Sequence, residues 1–122
     1  MTEQPTPASS PQSAYPLEID VREVAALQQR GEDFLLVDVR QPEEYQTAAI
    51  AGAVLIPLGE LAGRLSELEA YRDGRIVVHC HHGSRSMRAV LGLRQHGFAG
   101  VQNMAGGIDA WSRLVDPQIP LY

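Results

Sequence analysis

Short apolar runs alternate along the chain with stretches in which apolar residues recur every three or four positions. A continuous apolar run is typical of a strand covered on both faces of a parallel sheet. On this basis we predict strands at residues 17–19, 34–37, 54–56, 76–79 and 101–104.

The stretches between these runs have the spacing of amphipathic helices. The first predicted helix has Asp20 as its N-cap with Glu23 three residues later, the composition of a capping box, and ends at Gly31. The second begins with Pro42 at its first position. The remaining three are indicated by Leu58, Leu61, Leu65 and Leu68, by residues 86–96 before Gly97, and by Ile108, Ala110, Trp111 and Leu114 after Gly106-Gly107.

Strand and helix alternate throughout, which requires parallel strands joined by right-handed crossovers. We therefore expect an α/β fold, with a central parallel sheet of about five strands and helices on both faces. Residues 1–16 contain four prolines among Ser, Thr and Gln. They are predicted to form a disordered N-terminal extension, and residues 17–122 the domain.

Length, charge and cysteine content narrow the function classes. A chain of 122 residues is long enough for one core. Its net charge of −5 argues against nucleic acid or an anionic membrane as the main partner, and no apolar run reaches the length of a bilayer span. We expect no signal peptide. A single cysteine allows no internal disulfide and fits a reducing, cytoplasmic compartment.

That cysteine, Cys80, directly follows the fourth predicted strand, and a polar segment with Gly83 and Arg85 leads into the next helix. This order places a thiol where open α/β sheets bind ligands. Free N–H groups of the loop and of the first helical turn favour a thiolate there. Cys80 is therefore predicted to be a nucleophile and not merely a small buried apolar side chain.

Five blocks of the chain, in order, resemble those of a single-domain rhodanese of the thiosulfate sulfurtransferase-like family. The resemblance runs from about Leu17 to the C-terminus, and residues 115–122 are similar to the tails of rhodanese domains fused to adenylyltransferases that feed sulfur-carrier proteins. The blocks are Asp38–Tyr45, Ile50–Ala53 with Ile56–Leu58, Cys80–Ser86, Gly97–Phe98 and Gly106–Trp111.

The resemblance implies a rhodanese-like fold and a sulfurtransferase without a cofactor. In such an enzyme, Cys80 would take sulfur from thiosulfate or a persulfide donor, carry it as a persulfide, and pass it to a thiophilic acceptor, which could be a protein. The N–H groups of the loop would hold the persulfide anion. Arg85 would attract an anionic donor, and Asp38 with Arg40 would support the site. The expected loop residues are His81, His82, Gly83, Ser84, Arg85 and Ser86.

The chain departs from the family pattern in two places. Many members carry Gly-His-Ile-Pro-Gly-Ala where residues 48–53 read Ala-Ala-Ile-Ala-Gly-Ala, which leaves the geometry of that loop open. His81 and His82 are less firmly cationic than the Arg or Lys of some thiosulfate-using members, so a persulfide is an alternative donor.

Two other functions remain as alternatives. A cysteine-dependent phosphatase would show a similar loop, but that class places five residues between cysteine and arginine, and this chain has four between Cys80 and Arg85. A persulfide-carrying or docking module would have the same sequence features. A metal site at residues 79–82 is disfavoured, because consecutive side chains at a strand end point in alternating directions, and no metal is expected.

Overall fold

Five parallel strands form one central sheet in the order β1-β5-β4-β2-β3. The architecture comes from a computed structural model that describes residues 15–122. It confirms the predicted fold class and each predicted strand. The strands are β1 (Glu18–Ile19), β2 (Leu35–Asp38), β3 (Val54–Leu55), β4 (Arg75–His79) and β5 (Gly100–Met104).

Four α-helices and one 3₁₀ segment connect the strands. Helix α1 begins after Asp20, and the predicted capping box with Glu23 is present. Helix α2 has proline at its first position, as expected. The bounds are α1 (Val21–Gln29), α2 (Pro42–Thr47), the 3₁₀ segment (Leu58–Tyr71), α3 (Ser84–Gln95) and α4 (Gly107–Leu114).

Each face of the sheet is covered by its own apolar cluster. Val37 and Val78 point to the face covered by the 3₁₀ segment and α3. Leu36 and Val77 point to the opposite face, covered by α1 and α4, where Trp111 is buried. This alternation is the period of two expected of a strand buried on both sides.

The third predicted helix is wrong in type, because residues 58–71 form 3₁₀ turns with a break at Arg64, whose φ and ψ are −126° and 22°. The leucine spacing is compatible with this geometry. Leu58 and Leu61 lie three residues apart before the break, and Leu65 and Leu68 three apart after it. A 3₁₀ helix has about three residues per turn, so each half keeps its leucines on the core side.

The predicted disordered extension lies outside the described residues except for Tyr15 and Pro16, whose carbonyl oxygens accept hydrogen bonds from Arg94 at 3.1 Å and Gln102 at 3.0 Å. None of the helices in the described part of the chain has the length and apolar character needed to span a bilayer.

Candidate active site

Cys80 lies at the carboxyl end of β4, with β5 and β2 on either side, and its side chain is 1% exposed. Helix α3 begins at Ser84, two residues earlier than predicted. The early start follows from Gly83, whose φ of 121° turns the chain sharply into the helix. Ser84, Arg85 and Ser86 therefore occupy the first turn of α3, and the loop is only three residues long.

Three donors surround the sulfur of Cys80. The backbone N–H of Gly83 lies 3.1 Å from Sγ, and the N–H and hydroxyl of Ser86 each lie 3.3 Å away. Burial alone would raise the pKa of the Cys80 thiol, but hydrogen bonds from Ser86, Gly83 and the Arg85 N–H lower it below its ordinary value. The loop therefore favours a thiolate.

Helix α4 fixes the loop from outside by binding its carbonyl groups. The N–H of Ile108 donates to the Cys80 carbonyl at 2.9 Å, and the N–H of Asp109 donates to the His81 carbonyl at 3.1 Å. Gly107 permits this approach, because a Cβ there would lie 2.4 Å from the His81 oxygen. With its carbonyls engaged on the outside, the loop presents its N–H groups to Sγ.

The Ser86 hydroxyl also contacts Asn103, a buried residue on β5 that sequence reasoning missed. This hydroxyl lies within hydrogen-bond distance of Sγ, of the Gly83 carbonyl and of Asn103 Oδ1. The Asn103 amide donates to Glu18 at 3.1 Å and to the Gly83 carbonyl at 3.3 Å. The signal was present, since Asn103, like its neighbour Gln102, is a polar residue within a predicted buried strand.

Ser86→Ala should raise the pKa of the Cys80 thiol, because it removes the side-chain hydrogen bond that lowers this pKa. At a pH below the new pKa, the thiolate fraction and the rate of sulfur uptake should both fall. Thiolate absorbance near 240 nm, followed across pH, measures the change. Ser112→Ala is the matched control, because the buried Ser112 hydroxyl has no hydrogen-bond partner among the described residues. An unchanged thiol pKa in Ser86→Ala would contradict this account.

Asp38 and Arg40 form a fully buried ion pair at the carboxyl end of β2, the strand next to β4. Arg40 Nη2 lies 2.6 Å and Nε 2.9 Å from the two Asp38 oxygens. Burial would lower the pKa of Arg40, but its hydrogen bonds to Asp38 and to Tyr122 raise it. Arg40 also donates to the carbonyl of Ala48 at 2.7 Å, in the loop that departs from the family pattern.

Arg85 and Glu44 form an ion pair at the mouth of the site. Sequence reasoning did not identify Glu44 as a residue of the site. The two guanidinium nitrogens of Arg85 lie 2.8 and 3.0 Å from the two Glu44 oxygens. The hydrogen bond from Arg85 is the main cause that lowers the pKa of Glu44 to about 2. Arg85, which was predicted to attract an anionic donor, is therefore already bound to a carboxylate.

His81 and His82 lie over the loop with Asp109 and Tyr122. The His81 ring stacks on Tyr122 and on His82, with centroid distances of 3.9 Å in both cases. Burial is the main cause that lowers the pKa of His81. Tyr122 was not predicted to be near the site.

Asp109 lies beside the two histidines, and the potential metal-ligating atoms of His81, His82 and Asp109 all lie within 4.8 Å of one another. The two histidine rings stack with an interplanar angle of 29°, and Asp109 is also bound to Arg113 at 3.0 Å. His79 is fully buried and does not belong to this group. The expectation that no metal is bound stays a prediction.

Comparison with known proteins gives consistent matches. Residues 20–114 match the family described as "Rhodanese-like domain". A sulfurtransferase of Allochromatium vinosum is 38% identical over 96 residues, which cover 79% of this chain and 88% of that protein. A rhodanese-related protein from Thermoplasma volcanium is 31% identical with a TM-score of 0.74, over 88% of this chain and all of that structure.

Longer proteins also match. The "Adenylyltransferase and sulfurtransferase MOCS3-1" of Zea mays is 40% identical over 109 residues, which cover 85% of this chain. This chain spans only 23% of the length of that maize relative. The similarity therefore concerns one part of the longer protein.

Proposed function

Since the chain belongs to the rhodanese-like domain family, a family of sulfurtransferases, we propose that it transfers sulfane sulfur through a persulfide on Cys80. The observation that carries this proposal is the set of three donors within 3.3 Å of Sγ. They stabilise the thiolate that attacks the donor, and they remain in place to stabilise the persulfide anion.

The reaction is a double displacement with thiosulfate or a persulfide as donor. The Cys80 thiolate attacks the outer sulfur of thiosulfate, an Sγ–S bond forms, the S–S bond of thiosulfate breaks, and sulfite leaves with the electron pair. The enzyme then holds Cys80–S–S⁻. An acceptor nucleophile such as cyanide attacks the terminal sulfur, forms thiocyanate and returns the Cys80 thiolate. No electrons or protons are gained or lost overall.

The loop suits sulfur because of its size and its donors. Only four residues separate Cys80 from Arg85, so the space over Sγ is narrow. A persulfide spreads one charge over its terminal sulfur and benefits from several backbone donors around it. We propose Cys80 as the nucleophile and residues 81–86, the short loop with the first turn of α3, as the persulfide-binding segment, with Asp38 and Arg40 supporting the site from the end of β2.

We further propose that the physiological acceptor is a protein. The maize relative is named for adenylyltransferase and sulfurtransferase activities together, which is consistent with sulfur passing to a protein substrate. Because Cys80 must remain a free thiol to act, we place the reaction in a reducing compartment such as the cytoplasm.

Initial-rate kinetics test the proposed activity. With thiosulfate and cyanide varied together, thiocyanate formation should give the parallel double-reciprocal lines of a ping-pong mechanism, because sulfite leaves before cyanide binds. Intersecting lines would contradict a free persulfide intermediate. Turnover of p-nitrophenyl phosphate in place of sulfur transfer would favour the phosphatase alternative.

A further inference from the structure

We propose that Glu44 is a specificity-determining residue, which neutralises Arg85 and thereby makes persulfides better sulfur donors for this site than the thiosulfate dianion. The inference rests on the proposed function. It concerns the donor class of the same site, and its support is the ion pair of Glu44 with Arg85, the arginine that interacts electrostatically with Cys80.

Glu44 is held in place from several sides. Arg85 binds both of its carboxylate oxygens, with side-chain exposures of 34% for Arg85 and 21% for Glu44. The Gln41 N–H donates to Oε1 at 3.0 Å, which fixes Glu44 to the first turn of α2. The Tyr122 hydroxyl donates to Oε2 at 2.9 Å and accepts from Arg40 at 2.8 Å. The pairing of Glu44 with Arg85 is therefore a built contact and not a chance surface pair.

The negative charge of Glu44 persists wherever the enzyme would work. With its pKa lowered to about 2, mainly by the hydrogen bond from Arg85, the carboxylate is ionised at any pH near neutrality. Arg85 in turn interacts electrostatically with Cys80. A positive charge that would otherwise assist an anion at Sγ is thus balanced by Glu44.

The other arginines that contact residues around the loop are also paired with carboxylates. Among the described residues, Arg40 is bound to Asp38 and Arg113 is bound to Asp109. Arg88 lies one turn further along α3, beside an apolar groove that it lines with Leu58. The mouth therefore offers the N–H groups of the loop, but no unbalanced arginine, to an incoming donor.

The two donor classes differ in the charge that they bring to the Cys80 thiolate. Thiosulfate carries two negative charges, and the sulfite that leaves it is also a dianion. With a protonated persulfide, RSSH, the Cys80 thiolate attacks the terminal sulfur. The SH group is transferred to form Cys80–S–SH, and RS⁻ leaves with one negative charge. Electrostatic repulsion scales with the product of the two charges. When Glu44 neutralises Arg85, the Cys80 thiolate therefore repels the thiosulfate dianion more strongly than it repels a protonated persulfide.

Glu44→Gln tests the inference, because glutamine keeps one oxygen that can accept from the Gln41 N–H, while it removes the charge and one of the two oxygens that bind Arg85. With thiosulfate and cysteine persulfide as donors, the ratio of kcat/KM for thiosulfate to that for cysteine persulfide should rise about tenfold, mainly through a lower KM for thiosulfate. Glu43→Gln is the matched control. It removes the same charge from an exposed neighbour on α2, so the ratio should stay unchanged.

The gain must depend on Arg85. In the double variant Glu44→Gln/Arg85→Gln, the ratio should return to about the native value. A ratio that does not rise in Glu44→Gln, or that rises equally in Glu43→Gln, would overturn the inference while leaving the proposed function intact. A native protein that takes sulfur from neither donor would instead refute the proposed function, and the inference with it.

A measurement on the native protein covers the case in which the variants fold poorly. If Glu44 neutralises Arg85, no cation offsets the repulsion between thiosulfate and the Cys80 thiolate in a chain of net charge −5, and added salt should raise kcat/KM for thiosulfate by screening. An unbalanced Arg85 would attract the dianion, and salt would lower the same quantity. A fall with increasing ionic strength would therefore contradict the inference directly.

Discussion

Cys80→Ser should reduce sulfur transfer from every donor by a factor on the order of 10⁴ or more, to the background of the uncatalysed reaction. The reason is chemical, because a serine hydroxyl near neutral pH is neither ionised nor able to form a persulfide. The chain has one cysteine, so no second thiol can take over the role. Thiocyanate formation with thiosulfate and cyanide measures the loss.

The same variant should fold normally. Serine is slightly smaller than cysteine, and its oxygen can accept from the N–H groups of Gly83 and Ser86 that now face Sγ. Its free energy of unfolding should lie within about 1–2 kcal/mol of the native value. Chemical denaturation separates a lost nucleophile from a lost fold. A folded Cys80→Ser protein that retained native turnover would show that the mechanism is wrong.

Arg40→Met should destabilise the protein by about 3–5 kcal/mol, because it leaves the Asp38 carboxylate buried without a partner. The guanidinium and the carboxylate are both fully buried, so water cannot replace either of them. The variant also frees the Ala48 carbonyl, which now accepts from Arg40. Urea denaturation of the native and variant chains measures the difference in the free energy of unfolding.

Three further variants, Asp38→Leu, Asp38→Leu/Arg40→Met and Arg30→Met, show whether burial of the pair is the cause. Asp38→Leu/Arg40→Met removes both charges and should be destabilised by less than the sum of the two single variants. Arg30→Met is the exposed control, because the Arg30–Glu32 pair has side-chain exposures of 58% and 51%, and its loss should change stability by less than about 1 kcal/mol. Equal effects of Arg40→Met and Arg30→Met would contradict a structural role for the buried pair.

The parts of the fold that follow from local pattern could be predicted from the sequence. The continuous apolar runs identified the strands, and the capping residues Asp20 and Pro42 identified the starts of two helices, because these signals depend on neighbours in the chain. The 3₁₀ segment was predicted as an α-helix, since the overall leucine spacing of three, four and three fits both. Gly59 and Gly63, which weaken an α-helix, precede the break at Arg64 and were the local signal that this prediction left out.

The candidate site likewise has a part that could be predicted from local pattern and a part that could not. Cys80 was placed correctly at a strand end before a helix, since this follows from element order alone. The ion pair of Arg85 with Glu44 joins residues 41 positions apart, and the contact of Tyr122 with Glu44 joins residues 78 positions apart. Such pairs depend on how α2, α3 and the C-terminal residues pack together, which no local pattern reveals. They are also the contacts that bear on donor choice.

The most direct test of the central claim is the intact mass of the native protein after incubation with thiosulfate or cysteine persulfide, and again after cyanide is added. The Cys80→Ser protein is treated in parallel. The native chain should gain the mass of one sulfur atom and lose it to cyanide, and the variant should gain none. A native chain that gains no sulfur from either donor, or a variant that gains it equally, would contradict a persulfide on Cys80.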